Sequence, residues 1–361
     1  MNYYVKEVYK DESLQKTAGV KARDDVETIL DRIGFERIIL ESRNENRKNG
    51  NSLQKLLWHF RILNIWIKST EGLKSGDAIF VQIPVMEHSI VLDRVFKKLR
   101  NKGVKVILLI HDLESLRFSK RKELGLKTRI RLKFEDKVLA SSNYIIVHNP
   151  KMKRIVASKL RKKDGIISLG LFDYIIDNYD TERAAKIVRT KNDPVIIAGT
   201  LRKNKAAYAY DLPEDLKVNL YGVGYEGVET NTVKYLGAFE PEELPYELRG
   251  SFGIVWDGET SKDCVGVYGE YLKINNPHKT SLYLASGIPV IIWEKAALAD
   301  IVKKYNCGIA VNSLLEINKI LSDMADEDYD KMKQNTEKMS EKLRDGFFLK
   351  NAIQKCGCKI L

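Results

Sequence analysis

The sequence predicts an α/β protein made of two Rossmann-like halves, each a parallel sheet covered by helices on both faces. Three observations carry this expectation. Short, almost purely apolar runs alternate with longer amphipathic stretches, the pattern of successive βαβ units. The alternation weakens once, near the middle, and then starts again. The chain has 361 residues, of which 44% are hydrophobic, enough to fill two cores rather than one.

In chain order, Phe35 to Leu40, Asp77 to Ile83, Val104 to Ile110, Tyr144 to Val147 and Ile166 to Leu171 read as buried strands. A strand covered on both faces loses the polar alternation of a half-exposed one. Between these runs, Ala22 to Ile33, Leu53 to Lys68, Ile90 to Asn101, Ile130 to Ala140 and Pro150 to Lys162 carry helical spacing. Right-handed crossovers then make a doubly wound domain the default. The polar stretch from Asp173 to Asp193, closed by Pro194, reads as a linker with one short helix. A second set of strands follows at Val195 to Ala198, Val218 to Tyr221, Val233 to Leu236, Phe252 to Trp256, Val290 to Trp293 and Gly308 to Val311. Helices are expected near Glu242 to Leu248, Lys279 to Ala285, Ala296 to Lys304 and Leu314 to Met324. From Glu327 to Leu361 the chain is charged and helical in period, with Phe347, Phe348, Leu349 and Ile353 as its apolar part. A tail that packs back across the domain junction and a plain terminal helix both fit. The expected plan is an N-terminal domain over 1–173, a linker over 174–193, a C-terminal domain over 194–340 and a helical tail over 341–361. Two halves facing each other would leave a cleft between them.

Composition narrows the function classes. The four cysteines, Cys264, Cys307, Cys356 and Cys358, are unevenly spaced and have no histidine neighbours, so neither a disulfide framework nor a zinc site is expected. A reducing, cytoplasmic setting follows. No run approaches the roughly 18 to 20 apolar residues of a membrane span, and the segment MNYYVKEVYKDE lacks the apolar region of a signal peptide. The formal charge of +12 asks for an anionic partner, with sugar nucleotides, phospholipids and nucleic acids all open.

The tidiest motif is a misleading one. Gly222 to Gly227 spells GxGxxG after a strand, but Val228 to Val233 leads into another strand and not into the helix that a dinucleotide fingerprint must open. Asn275-Asn276-Pro277-His278-Lys279-Thr280-Ser281 is more informative. It starts a helix that Gly287-Ile288-Pro289 stops before a strand. The N–H groups of that first turn, its positive dipole end and the Lys279 ammonium would suit a diphosphate. An ordinary capped helix with a solvated lysine fits the same letters. A second basic loop, Gly199 to Lys205, follows the first strand of the second half, at the carboxyl end where open α/β sheets bind ligands. There Arg202 or Lys203 would meet the same anion, unless the loop is merely a solvated turn.

Four segments in this order, G-T-L-R-K-N from Gly199, F-G-I-V-W-D-G from Phe252, N-N-P-H-K-T-S-L-Y-L-A-S-G-I-P-V-I from Asn275 and N-C-G-I-A-V from Asn306, resemble the C-terminal half of GT-B glycosyltransferases. Thr17 to Asp25, Phe80 to Pro84 and Ile110 to Arg117 are similar to one bacterial group among them. That group holds the glucosyltransferase 3 of adhesin glycosylation and the β-1,6-galactofuranosyltransferases of cell-surface polysaccharides. The resemblance implies a GT-B fold with an acceptor-side N-terminal domain and a nucleotide-sugar-binding C-terminal domain. It implies that Lys279 and the turn His278, Thr280, Ser281 and Leu282 hold the diphosphate, that Arg202 assists, and that Tyr221 contacts the nucleotide. Thr17 and Gly19 would approach the donor from the first domain. The E-x7-E element of many GT-B enzymes has no clear counterpart, and Asp257 and Glu270 are the acids nearest to replacing it.

Glycosyl transfer needs the departing diphosphate stabilised and, if the anomeric centre inverts, a base for the acceptor hydroxyl. Cations and a helix dipole can do the first without metal, and no convincing Asp-x-Asp loop is present. Asp112 and His111, directly after the strand Val104 to Ile110, are the leading catalytic candidates, with Glu114, Glu87 and His88 next; strand-end groups of this kind also serve as caps. The histidines His59, His88, His111, His148 and His278 show no metal-ligand spacing, so no metal and no cofactor beyond the donor are expected.

The positive charge is local. Ser115 to Lys137 contains nine Lys or Arg and three acids, and Lys151 to Lys163 seven basic residues and no acid. Apolar residues from Leu116 to Phe134 interleave with the first cluster. A basic amphipathic segment lying on an anionic bilayer is expected through Arg121, Lys122, Arg129, Arg131 and Lys133; a solvated helix face reads alike. No RRM, KH, zinc-finger or helix-turn-helix pattern accompanies the charge, which argues against nucleic acid. The function expected is transfer of a hexosyl residue, galactofuranose by resemblance, from a UDP-sugar to a lipid-linked cell-surface glycan, by a cytoplasmic protein held peripherally at the inner face of the membrane. A UDP-glucose-dependent enzyme extending glycans on a protein adhesin is the alternative, and a non-catalytic nucleotide-sugar or nucleic-acid binding protein the alternative of another class. A homo-oligomer stays open.

Overall fold

Parallel sheets bury both faces, and the continuous apolar runs of the sequence lie at their centres. The computed structural model describes residues 1–8, 18–41, 52–85, 92–117 and 125–360. The chain divides into two units, Met1–Leu169 with Leu349–Leu361, and Gly170–Phe348.

The first unit is a six-stranded parallel sheet of β1 (Asn2–Val8), β2 (Glu36–Glu41), β3 (Ala78–Ile83), β4 (Lys105–Ile110), β5 (Tyr144–Val147) and β6 (Ile166–Ser168), in the order β2-β1-β3-β4-β5-β6. Its helices are α1 (Ala18–Arg32), α2 (Ser52–Ser69), α3 (Leu92–Asn101), α4 (Glu114–Arg117), α5 (Leu126–Ala140) and α6 (Pro150–Leu160). Every residue of the central β3 is buried, whereas the edge strand β2 buries only Leu40. The start of α6 follows from its letters: the Asn149 side chain accepts from the N–H groups of Lys151 and Met152 at 3.0 Å, with Pro150 behind it.

The sequence reading has no strand before Phe35, and β1 is a finding of the structure. Asn-Tyr-Tyr-Val-Lys-Glu-Val looks too polar for an interior strand. It is tolerated because α1 answers it: the Tyr4 hydroxyl donates to Asp31 at 2.8 Å and Lys6 pairs with Glu27 at 2.7 Å.

The second unit holds β7 (Val195–Ala198), β8 (Val218–Tyr221), β9 (Val233–Tyr235), β10 (Gly253–Val255), β11 (Val290–Trp293) and β12 (Gly308–Val311), all parallel, in the order β12-β11-β10-β7-β8-β9. The helices are α7 (Thr181–Ala185), α8 (Lys203–Ala206), α9 (Leu244–Glu247), α10 (Gly266–Leu272), α11 (His278–Ala285), α12 (Ala299–Tyr305), α13 (Ile317–Asp323) and α14 (Asp326–Asp345). The last helix, α15 (Phe347–Lys355), spans the division between the units. The long α14 carries acids in its first turn, bases in its last and Gly346 as a left-handed cap, and buries Tyr329, Met332, Thr336, Met339 and Leu343 at helical spacing.

Residues 174–193 fall within this second unit. The Tyr174 hydroxyl donates to Pro241 O at 3.0 Å, and the Tyr179 ring stacks on Tyr246 at 5.8 Å, with the Arg344 guanidinium 3.7 Å from its centre. The end of the chain is fixed in the first unit, where Lys105 donates to Gly357 O and Asn2 to Lys359 O, both at 2.8 Å. Among the described residues no helix is long and apolar enough to cross a membrane.

Candidate active site

In the second sheet the strand order reverses between β7 and β10, which makes the carboxyl ends of these neighbours the place where an open α/β sheet takes a ligand. Three segments meet there: the loop from Gly199 after β7, the loop from Trp256 after β10, and the first turn of α11. Backbone closeness requires the glycines. A Cβ on Gly222 would lie 1.8 Å from Gly199 O, and Gly222 itself has φ near +128°. The GxGxxG stretch does run from β8 towards β9, and Gly222 serves there to pack two loops against each other.

The first turn of α11 brings up Lys279, whose ammonium donates to Trp256 O and to Asp257 Oδ1, both at 2.8 Å. Both side chains are largely buried. Burial works against the ammonium, and the Asp257 carboxylate beside it more than offsets this, so the Lys279 pKa rises above its ordinary value and the charge is permanent. The Tyr208 ring lies beneath, 5.9 Å from Lys279 Nζ, with its hydroxyl pushed up to about 12 by burial. Thr280 Oγ1 and Asn275 Oδ1 are buried with no hydrogen-bond partner among the described residues, in keeping with a polar guest at this turn.

Arg202 is exposed at the N-cap position of α8, and a Cβ on Gly224 would meet its side chain at 2.4 Å. Unlike Lys279, it has no ion-pair partner among the described residues. Tyr210, Tyr225 and Tyr235 brace this side, with ring centres 5.1 and 5.5 Å apart in sequence.

Other residues expected to touch a nucleotide have structural engagements. The Tyr221 hydroxyl donates to Glu247 O at 3.1 Å and accepts from the N–H of Arg249 at 2.9 Å, and the whole side chain is buried, so Tyr221 packs the core at the end of β8 and presents no open face to a nucleotide. Ser281 Oγ donates to Phe172 O at 2.6 Å, the His278 ring lies 4.4 Å from that of Phe172, and Leu282 is buried. Glu270 pairs with Lys273 at 2.6 Å. Sequence reasoning missed Tyr283, whose hydroxyl accepts from the N–H of Ala198 at 2.6 Å and so pins the end of β7. Its signal is Gly253, where a Cβ would sit 2.1 Å from the Tyr283 ring.

In the first unit, His111 and Asp112 leave the carboxyl end of β4, as expected. The His111 ring is 2.7 Å, Nε2 to Oε1, from Gln82 of β3, and Asp112 pairs with Arg117 at 2.6 Å. Glu114 pairs with Arg131 at 2.5 Å, and Glu135 accepts from the N–H groups of Glu114 and Ser115. His148, at the end of β5, is buried beside them with its Nε2 3.1 Å from Ile110 O. Gly19 lies in the first turn of α1. Thr17, Glu87, His88, Arg121 and Lys122 lie outside the described residues.

Arg129, Arg131 and Lys133 are exposed on α5 around Leu126 and Ile130, which are 74% and 44% exposed. Lys159 of α6 joins α5 through Asp136 at 2.5 Å, and α6 adds exposed Lys153, Arg154 and Ile155. Leu116, counted with this surface from sequence, is buried and belongs to the core. Among the described residues no cluster of His, Cys, Asp and Glu could hold a metal ion.

Two family models account for almost the whole chain: the glucosyltransferase 3-like N-terminal domain over residues 2–171 and the corresponding C-terminal domain over 195–356. The β-1,6-galactofuranosyltransferase WbbI of Escherichia coli (strain K12) is 35% identical over 287 residues, 78% of this chain and 80% of that protein. Glucosyltransferase 3 of Streptococcus gordonii is 25% identical over 283 residues, 77% and 78% of the two chains. Among solved structures, WaaG, a glycosyltransferase involved in lipopolysaccharide biosynthesis, superposes with a TM-score of 0.55 at 10% identity, covering 99% of this chain and all of its own. The two six-stranded parallel sheets are thus those of the GT-B fold.

Proposed function

The chain belongs to the glucosyltransferase 3-like family of glycosyltransferases, and from that premise we propose that it moves a hexosyl residue, galactofuranose, from a UDP-sugar to a lipid-linked cell-surface glycan. The observation that carries the donor half is the buried Lys279 ammonium at the N-terminus of α11, beside the strand-order reversal, with the exposed Arg202 on the neighbouring loop. Departure of UDP adds one negative charge to the β-phosphate oxygens, which then carry two. A permanent cation, a second, solvent-exposed one and the α11 dipole meet that charge where it develops, so we read the diphosphate as held without a divalent ion. The backbone of the Gly222 loop then flanks the nucleoside. On the acceptor side, His111 and Asp112 stand at the carboxyl end of β4, and the exposed basic faces of α5 and α6 suit a cytoplasmic protein resting on an anionic leaflet. Galactofuranose rests on the likeness to WbbI.

Calorimetry with UDP tests the donor site. Arg202→Ala should weaken binding about tenfold, the value of one charge-assisted contact, with an unchanged melting temperature because Arg202 is exposed. Lys279→Gln should weaken it further while lowering stability, since Asp257 is left buried and unpaired. Unchanged affinity in both variants would sink the assignment. A panel of UDP-sugars scored for UDP release, run with and without EDTA, identifies the donor. Preference for UDP-glucose would replace galactofuranose, and loss of turnover in EDTA that Mg²⁺ restores would overturn the metal-free reading.

A further inference from the structure

We propose that Arg189 and Arg249 form a second anion site within the Gly170–Phe348 unit, one that takes a phosphate dianion, as inorganic phosphate or as a phosphomonoester. It stands independently of the donor reading above. Both guanidiniums turn to one carbonyl: Arg189 Nη2 donates to Leu248 O at 3.2 Å, and Arg249 Nη1 reaches the same oxygen at 3.5 Å and Tyr246 O at 2.6 Å. Two like charges brought together away from bulk water repel unless an anion lies between them. Among the described residues no carboxylate pairs with either arginine. The acids nearby are engaged elsewhere. Arg183 takes Glu243 and Glu247, both at 2.8 Å, Arg344 takes Glu337 at 3.4 Å, Lys333 takes Asp330 at 3.3 Å, and Asp193 accepts from the N–H of Thr190 at 2.7 Å.

Arg189 is short of acceptors. Its Nε is buried with no hydrogen-bond partner, and burial works against its charge, as does Arg249 beside it. Lys333 brings a third cation, donating to Arg189 O at 3.1 Å. Arg249 is exposed, which opens the pair to solvent on its side. Its backbone is held before any ligand arrives: the N–H donates to the Tyr221 hydroxyl at 2.9 Å, and the carbonyl accepts from Asn219 Nδ2 at 2.8 Å. Planar guanidinium forks match the oxygens of phosphate, and two uncompensated charges match a dianion, whereas a carboxylate or a phosphodiester would neutralise only half. Both residues lead into strands, Arg189 into β7 and Arg249 into β10, while the proposed donor loops leave those strands at their carboxyl ends.

Thermal melts of the whole protein, with inorganic phosphate replacing chloride at fixed ionic strength, test this. The melting temperature should rise with phosphate, with a Kd on the order of 1 mM for a pair of charge-assisted contacts. Arg249→Gln, at an exposed position and so able to fold, should weaken that response about tenfold or more, while Arg249→Lys, which keeps the charge, should retain part of it. A merely structural role for Arg249 would move the melting temperature and leave its dependence on phosphate alone. Arg202→Ala should respond as the wild type does. Glycerol phosphate separates the two sources: tighter binding than inorganic phosphate assigns a phosphomonoester, equal or weaker binding the free anion, and either upholds the dianion site. No rise at about 50 mM phosphate, far above that Kd, overturns the proposal. So does a rise that Arg249→Gln keeps in full, which would be a general salt effect. A response lost in Arg202→Ala but kept in Arg249→Gln would put the phosphate at the proposed donor site, overturning the second site and leaving the donor reading standing.

Discussion

His148 shows what burial does to a single titratable side chain. Removal from water pushes its pKa down to about 4, although the Asp112 carboxylate pulls the other way. The unfolded chain would bind a proton near pH 6.5, which the folded one refuses until about pH 4. The stability this group supports is therefore intact above about pH 6.5 and is lost as the pH falls towards 4, by about 3 kcal/mol in all. Urea titrations at pH 7 and pH 4.5 should show a fall in the wild type that His148→Gln, which keeps a donor for Ile110 O, makes smaller. Equal falls in the two proteins would show that other groups govern acid unfolding. Single residues were unevenly legible in the sequence. Lys279 stood out because a helix start with Asn, Pro and Lys has a recognisable order. Its pairing with Asp257, and the consumption of the Tyr221 hydroxyl by Glu247 and Arg249, depend on partners more than twenty positions away that no local pattern announces.

Whole elements were most legible where burial is two-sided. Val195–Ala198, Val290–Trp293 and Gly308–Val311 are strands at the residues their apolar runs mark, because nothing polar interrupts them, and Val218–Tyr221 is too, its one polar residue, Asn219, being buried and bonded to Arg249 O. The strand β1 was invisible because its tyrosine, lysine and glutamate are accommodated by α1, and the short α4, α8 and α10 offer too few turns for a helical period. The loops after β7 and β8 act as one piece through Gly222, and Gly222→Ala tests this. A methyl there would collide with Gly199 O and force a strained φ, so the melting temperature should fall by several degrees, and UDP affinity with it, since Arg202 is carried on the displaced loop. A variant that melts lower yet binds UDP normally would separate the two loops.

At the scale of the molecule, the +12 charge resolves into a few cations at the proposed donor site and a broad basic surface on α5 and α6. Its apolar members, Leu126, Ile130 and Ile155, are exposed among the bases, as an interfacial surface requires. Flotation with phosphatidylglycerol-containing vesicles should retain the protein at low salt and release it at high salt. Arg129→Gln, Lys133→Gln and Arg154→Gln together should weaken retention on the order of 10²-fold, at about 1 kcal/mol per charge removed. Retention by neutral vesicles equal to that by anionic ones would contradict an electrostatic anchor.

The division of the chain also fixes an order of birth. Gly170–Phe348 is one uninterrupted stretch, while the other unit opens the sequence and is completed only by its last residues, Leu349, Ala352, Ile353 and Cys356 among them, all buried. As the polypeptide leaves the ribosome, the half begun first is the half finished last. Its sheet waits for Leu349 and the buried residues after it until the whole of the second unit has been made, so a chain truncated after Phe348 would keep all of the second unit and lose part of the first.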